Sequence, residues 1–172
     1  LAEYKFKDKL IALYVALSAV FITPIIQMII VGHNSKMIAV MMFPAIFLML
    51  ERLYDIIAEG KFKENIYRLL LYFGILVFFI HVQMSSNHVQ MLFYFFSGIG
   101  IYMVYRLVFN LVKKIDFKPA LITLVLFIAA VGLSASMYAD SYLSSRDYNK
   151  YSIRGVPPIT QAPGEQKVSG AA

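Results

Sequence analysis

Residues 119–138 read PALITLVLFIAAVGLSASMY, twenty positions without one Asp, Glu, Lys or Arg. At 1.5 Å per residue a helix of that length covers about 30 Å, the thickness of a bilayer's hydrocarbon core. Four further apolar runs precede it. The first, 10–31, is interrupted only by Thr23, Pro24 and Gln27, and the second, 37–53, carries Pro44. The third covers 69–84 and the fourth 89–112. The reading is an all-α, polytopic bundle of about five transmembrane helices. Pro24 is expected to kink the first span rather than end it, because neighbours in a membrane can re-satisfy a freed carbonyl. Glu51 and Arg52 are read as the point where the second span leaves the lipid.

The composition agrees. Of 172 residues, 60% are hydrophobic and 15% charged, whereas a soluble domain is less than half apolar and about a quarter charged. With no Cys, a disulfide scaffold, a thiol enzyme and a zinc-thiolate site are excluded. The formal charge of +6 is poor evidence for nucleic acid, and none is expected as a partner, since membrane proteins keep Lys and Arg on cytoplasmic loops for topological reasons. Residues 1–139 form the membrane domain in this reading. From 140 the chain turns polar and then rich in Pro, Gly and Ala, so 140–172 is expected to be an extended or partly disordered segment. The chain opens on Leu1 with no signal-peptide pattern and is expected to be a piece of a longer protein. No internal repeat is evident.

Orientation follows from the basic residues. Lys5, Lys7 and Lys9 precede the first span; Arg52, Lys61, Lys63 and Arg68 flank the second connection; Arg106, Lys113, Lys114 and Lys118 surround the end of the fourth span. The connections 32–36 and 85–88 hold a single Lys. Positive charge therefore alternates with each crossing, which places the N-terminus inside and the C-terminal segment outside. Arg106 is read as snorkelling from within its run to the inner surface.

Three polar clusters then meet on the outer face: His33, Asn34, Ser35 and Lys36; Gln83, Asn87, His88 and Gln90; and Asp147, Lys150 and Arg154. The inner loops read as ordinary solvated charge. The second and fourth spans both begin outside, so their N-terminal N–H groups and partial positive charge face outward. Asn34 or Ser35 is expected to cap one and Ser86 or Asn87 the other. With Lys36 and Arg154 as cations, these termini make a cradle for a phosphate, best supplied by a lipid whose tail already lies among the helices. The competing reading makes the same residues ordinary caps. His33 and His88 lack a paired carboxylate, so no metal is expected. His81 is read as a packed polar residue, Gly98, Gly100, Gly132, Ser134 and Ser136 as helix-packing positions, and Tyr94, Tyr102 and Tyr105 as packing and interface anchors. No catalytic residue is identified. Asp140, Asp147 and Glu165 are the only outer carboxylates, and no phosphate loop, nucleophile elbow or zinc-protease motif is present.

Residues 32–40 (GHNSKMIAV) with Pro44, residues 86–91 (SNHVQM) leading into Phe93, Tyr94 and Phe95, and residues 147–155 (DYNKYSIRG) together resemble the YfhO-like bacterial membrane proteins. The order and spacing of the three motifs cover most of the chain. The resemblance implies a much longer protein of the cytoplasmic membrane, related to the GT-C class of glycosyltransferases. Such a protein would take a sugar from a polyprenyl-phosphate carrier and attach it to a cell-envelope acceptor at the outer face. It implies a lipid-linked sugar donor and no other cofactor here. His33, Asn34, Lys36, Asn87, His88, Gln90 and Arg154 become the substrate-binding candidates. It also implies that the acidic catalytic residues lie upstream of Leu1, leaving this piece inactive alone. Two other readings remain open, a transporter or flippase-like segment and a non-catalytic structural membrane module.

Overall fold

A segment surrounded by hydrocarbon has no water to satisfy its backbone, so each long apolar run must close its hydrogen bonds within itself as a helix. The computed structural model describes residues 1–60, 62–86 and 88–149. Among them there are seven helices and no strand: α1 Ala2–Phe6, α2 Lys9–Val20, α3 Thr23–Ile30, α4 Asn34–Ala58, α5 Phe62–Ser85, α6 Val89–Val112 and α7 Lys118–Asn149. Helices α4 to α7 are each long and apolar enough to cross a membrane, and α2 and α3 together make a fifth candidate. The protein is an all-α membrane-helix bundle, with all five expected runs helical.

The first run differs from expectation. It is broken, not merely kinked: α2 stops at Val20, and α3 sets off at 43° to it after a two-residue gap. Pro24 lies in the first turn of α3. There its missing N–H removes nothing, because the opening N–H groups of a helix have no intrahelical partner. A proline so placed starts a helix in preference to bending one. Pro44, by contrast, sits inside a continuous α4.

Tight turns join the next elements. Gly32, at φ +74°, donates its N–H to Ile29 O, and His33 N–H reaches back to Met28 O. This left-handed closure suits a residue without Cβ. Lys114 closes α6 in the same way at φ +54°, bonding to Leu111 O while Ile115 N–H bonds to Asn110 O.

Ile46, Leu50 and Leu53 of α4, spaced four and three apart, form one stripe of the core with Leu76 and Ile80 of α5, Ile99 and Met103 of α6, and Phe127 and Ala130 of α7. Helices α4 and α6 are parallel: Phe43 stacks on Phe95 with centroids 5.0 Å apart, and further along Phe47 meets Tyr102 at 4.7 Å. Phe127 joins α7 edge-on to Phe96, and Ser134 Oγ donates to Val77 O of α5 at 3.0 Å. The outward faces stay apolar. Leu10, Ile30 and Ile101 are each at least 70% exposed, which suits a lipid surround and not water.

The chain divides into two compact units, Leu1–Met137 and Tyr138–Ala172. In the second, residues 138–149 continue α7, which corrects the expectation of irregular chain from 140. Polar side chains end an apolar run without ending a helix, and no Gly or Pro occurs from Leu133 to Arg154. The rest of the expected tail, 150–172, lies outside the described residues.

Because the chain has no cysteine, single substitutions can report topology. Ser35→Cys, at the start of α4, is expected to react with an impermeant thiol reagent on intact cells. Lys113→Cys, at the end of α6, should react only after permeabilisation. Both positions are exposed, so labelling of the two from the same side would contradict the alternating topology.

Candidate functional site

Because α4 and α6 run in parallel, their N-termini share one end of the bundle. Carried back two turns from Phe43 and Phe95, their register sets Lys36 level with His88. His33 and Asn34 are exposed at the start of α4, Lys36 is half-buried, His88 is half-buried and Gln90 is exposed. Five of the seven sequence-predicted binding residues thus sit on the two helix starts. Asn87 and Arg154 lie outside the described residues.

The capping expectation needs correction. The N-caps are His33 and His88, and neither contributes a side-chain capping bond. The turn through Gly32 is so tight that α4 starts at Asn34, which places Asn34 and Ser35 inside the first turn and beyond capping reach. Ser86 closes the preceding helix instead, its Oγ donating to Gln83 O at 2.6 Å. Among the described residues, then, no side chain caps the first N–H groups of α4 and α6, a more open arrangement for an anion than the sequence suggests. Gln90 Nε2 donates to Tyr94 OH at 3.2 Å within its own helix. Lys36 has no ion-pair partner among the described residues.

Gln83, grouped with these residues in sequence, does other work. It is fully buried, and its Nε2 donates to Ala39 O at 2.8 Å, joining α5 to α4 just before Pro44. Its Oε1 and the Nδ1 of His81 are buried without partners. Among the described residues no three His, Asp or Glu side chains are placed to share a metal ion.

The most developed polar constellation is at the opposite end, where α4 and α6 finish. Glu51, whose side chain is 2% exposed, accepts at Oε1 from Tyr102 OH at 2.7 Å and from Arg106 Nη1 at 2.7 Å. Its Oε2 is taken by Lys5 Nζ of α1. The Arg106 guanidinium lies 3.3 Å from the ring centroid of Tyr54, whose hydroxyl accepts from Asn110 Nδ2 at 3.1 Å. One turn beyond Glu51, Asp55 accepts from Tyr4 OH, and Arg52 lies over the Tyr4 ring at 4.2 Å.

Three sequence readings are corrected here. Glu51 does not leave the lipid as a solvated charge, Arg106 pairs rather than snorkels, and Tyr102 is a hydrogen-bond donor rather than only a packing ring. The signal lay in span direction. Glu51 and Arg106 fall near the ends of two spans that run the same way, so they must reach one depth. Chemically the cluster is a clamp, since both oxygens of Glu51 are committed and neither is open to act as a base. No family model, no curated protein and no solved structure matches the chain, and the roles of these residues rest on their geometry.

Removing one partner of a buried ion pair strands the other, at a cost of about 3–5 kcal/mol. Glu51→Gln, which leaves Arg106 and Lys5 facing each other, is expected to lose stability on that scale. Lys5→Gln, on a partly exposed partner, is expected to lose about 1 kcal/mol or less. Reversible detergent unfolding of the purified chain, followed by circular dichroism, ranks the two. Equal, small losses would mean that the cluster holds nothing together.

Proposed function

We propose that this chain is the membrane portion of a protein that binds a lipid-linked phosphate where α4 and α6 begin. In this reading that end faces outward, and the lipid is the polyprenyl-phosphate sugar donor that the YfhO-like motifs imply. The full protein would be a glycosyltransferase of the GT-C class acting on a cell-envelope acceptor. One observation carries the proposal: two parallel helices begin at one end of the bundle with no side-chain cap among the described residues, and Lys36, in the first turn of one of them, has no ion-pair partner among those residues. Each such terminus carries roughly half a positive charge and orphan N–H donors. The phosphodiester of the lipid-linked sugar donor would supply the acceptors, and its isoprenoid tail could lie on the exposed apolar faces of the same helices. His33, Asn34, His88 and Gln90 surround the termini as hydrogen-bonding residues. The group that activates the acceptor is assigned to no residue of this chain.

A second reading, a structural membrane module, draws on the clamp around Glu51. That is the best-satisfied polar feature of the protein, and it has no open chemistry.

Thermal unfolding of the purified chain separates the two. Polyprenyl phosphate is expected to raise the melting temperature, and the free polyprenol to leave it unchanged. Lys36→Ala is expected to weaken the effect about tenfold, the scale of one lost charge-assisted hydrogen bond. No stabilisation by the phosphate, or equal stabilisation by the alcohol, would leave the structural module standing. In the full-length protein, sugar transfer in vesicles should fall with the same substitution.

A further inference from the structure

Helix α2 is apolar from Leu10 to Val20, yet none of its residues is buried against the protein. Between it and α4 runs a cleft of about 670 Å³, whose walls include Ala12, Ala16 and Val20 on one side and Pro44 and Phe47 on the other. From Ala12 to Val20 the cleft follows α2 for about 12 Å. At the end nearer Lys9 it adjoins a second cavity of about 500 Å³ that shares Leu1 and Glu3 with it and is lined by Tyr4, Lys7, Lys9 and Arg52.

The second cavity concentrates positive charge. Lys7 Nζ lies 4.6 Å and Arg52 Cζ 4.2 Å from the centroid of the same Tyr4 ring. Among the described residues, none of Lys7, Lys9 and Arg52 forms an ion pair, the pairs here being Lys5 and Arg106 with Glu51. Glu3 is the single acidic side chain in the lining. Like charges gathered in excess of counter-charge repel, and an anion seated among them relieves that repulsion.

A cationic basin leading into an apolar cleft is the complement of one kind of molecule. We propose that the two cavities together bind one anionic phospholipid of the surrounding bilayer, its phosphate among Lys7, Lys9 and Arg52 and an acyl chain between α2 and α4. A helix from a protein partner fits less well. A helix would cover the apolar walls and still leave Lys7, Lys9 and Arg52 without an anion. Free phosphate would leave the apolar walls uncovered. The site lies at the opposite end of α4 from Lys36, so it stands or falls apart from the function proposed above.

Native mass spectrometry of the purified chain, exchanged with phosphatidylglycerol and phosphatidylcholine of identical acyl chains, tests the proposal. The expected result is one retained phosphatidylglycerol and much weaker retention of phosphatidylcholine. Lys9→Gln and Arg52→Gln should each weaken retention about fivefold, the contribution of one basic residue near an anionic lipid. Ala16→Phe fills the cleft, leaves every cation in place, and sits on a helix with no buried residue whose packing it could disturb. It should abolish retention. Lys113→Gln removes an equal charge away from the cleft and should change nothing. Equal retention of the two lipids, undiminished retention in Ala16→Phe, or a loss in Lys113→Gln matching that in Lys9→Gln would each overturn the proposal.

Discussion

Glu51 is a carboxylate withdrawn almost completely from solvent in the last third of a membrane-spanning helix. Such a charge persists only if donors replace the water it has lost, because desolvation alone costs several kcal/mol. Its two oxygens receive an ammonium from α1, and a phenol and a guanidinium from α6. These donors come from segments far apart in sequence, so satisfying Glu51 means bringing α1, α4 and α6 together. Apolar contacts alone would not fix that arrangement, since lipid tails solvate Leu and Phe as well as neighbouring helices do. The carboxylate supplies direction, and the stacked rings of Phe43 with Phe95 and Phe47 with Tyr102 follow the register it sets.

That register has a consequence at the other end of the same helices. With α4 and α6 parallel and locked near their C-termini, their N-termini are held side by side. The tight turn through Gly32 then spends its residues on reversing the chain, and α4 opens without a side-chain cap. The two ends of the bundle thus differ in kind. Around Glu51, donors and acceptors are matched within the protein. Where α4 and α6 begin, the N–H groups, His33, Lys36 and His88 meet no side-chain acceptor among the described residues.

Much of the fold was legible because its cause is local. Five apolar runs gave five helical stretches, since in hydrocarbon a backbone has no alternative, and Pro44 could be passed over for the same reason. The break before Pro24 was less legible, because a proline near the middle of an apolar run can bend a helix or begin a new one, and Ile22 decides it by adopting an extended backbone. Asp140 misled for a related reason: polarity tells where lipid ends, whereas helices end at Gly, at Pro or at a cap. The clamp was missed because its members are unremarkable one at a time. Glu51 looks like a boundary residue, Arg106 like a snorkelling one and Tyr102 like an interface anchor. Only their shared depth on co-directional spans, together with the return of α1, joins them. The candidate residues around His33 and His88 could be placed at helix starts from type and position, but the capping pattern could not, because it depended on where one turn closed.

A polar group inside a membrane protein that is fully partnered has already committed its interactions, and one that lacks partners keeps them in reserve. By this criterion the conspicuous cluster is not the best candidate for ligand chemistry. Glu51, Arg106, Tyr102 and Lys5 leave little to offer a substrate, and their arrangement holds helices. Groups without ion-pair partners among the described residues include Lys36 at the start of α4, and Lys7, Lys9 and Arg52 in the basin beside the apolar cleft. Both places set positive charge beside apolar surface, the complement of a molecule with an anionic head and a hydrocarbon tail. The clamp adjoins the basin at Arg52 and, through the parallel register of α4 and α6, fixes the end where those helices begin as well, so a ligand at either place would meet a helix whose position is already set. It would bind without first having to order the bundle, which spares the ordering cost that would otherwise weaken its affinity.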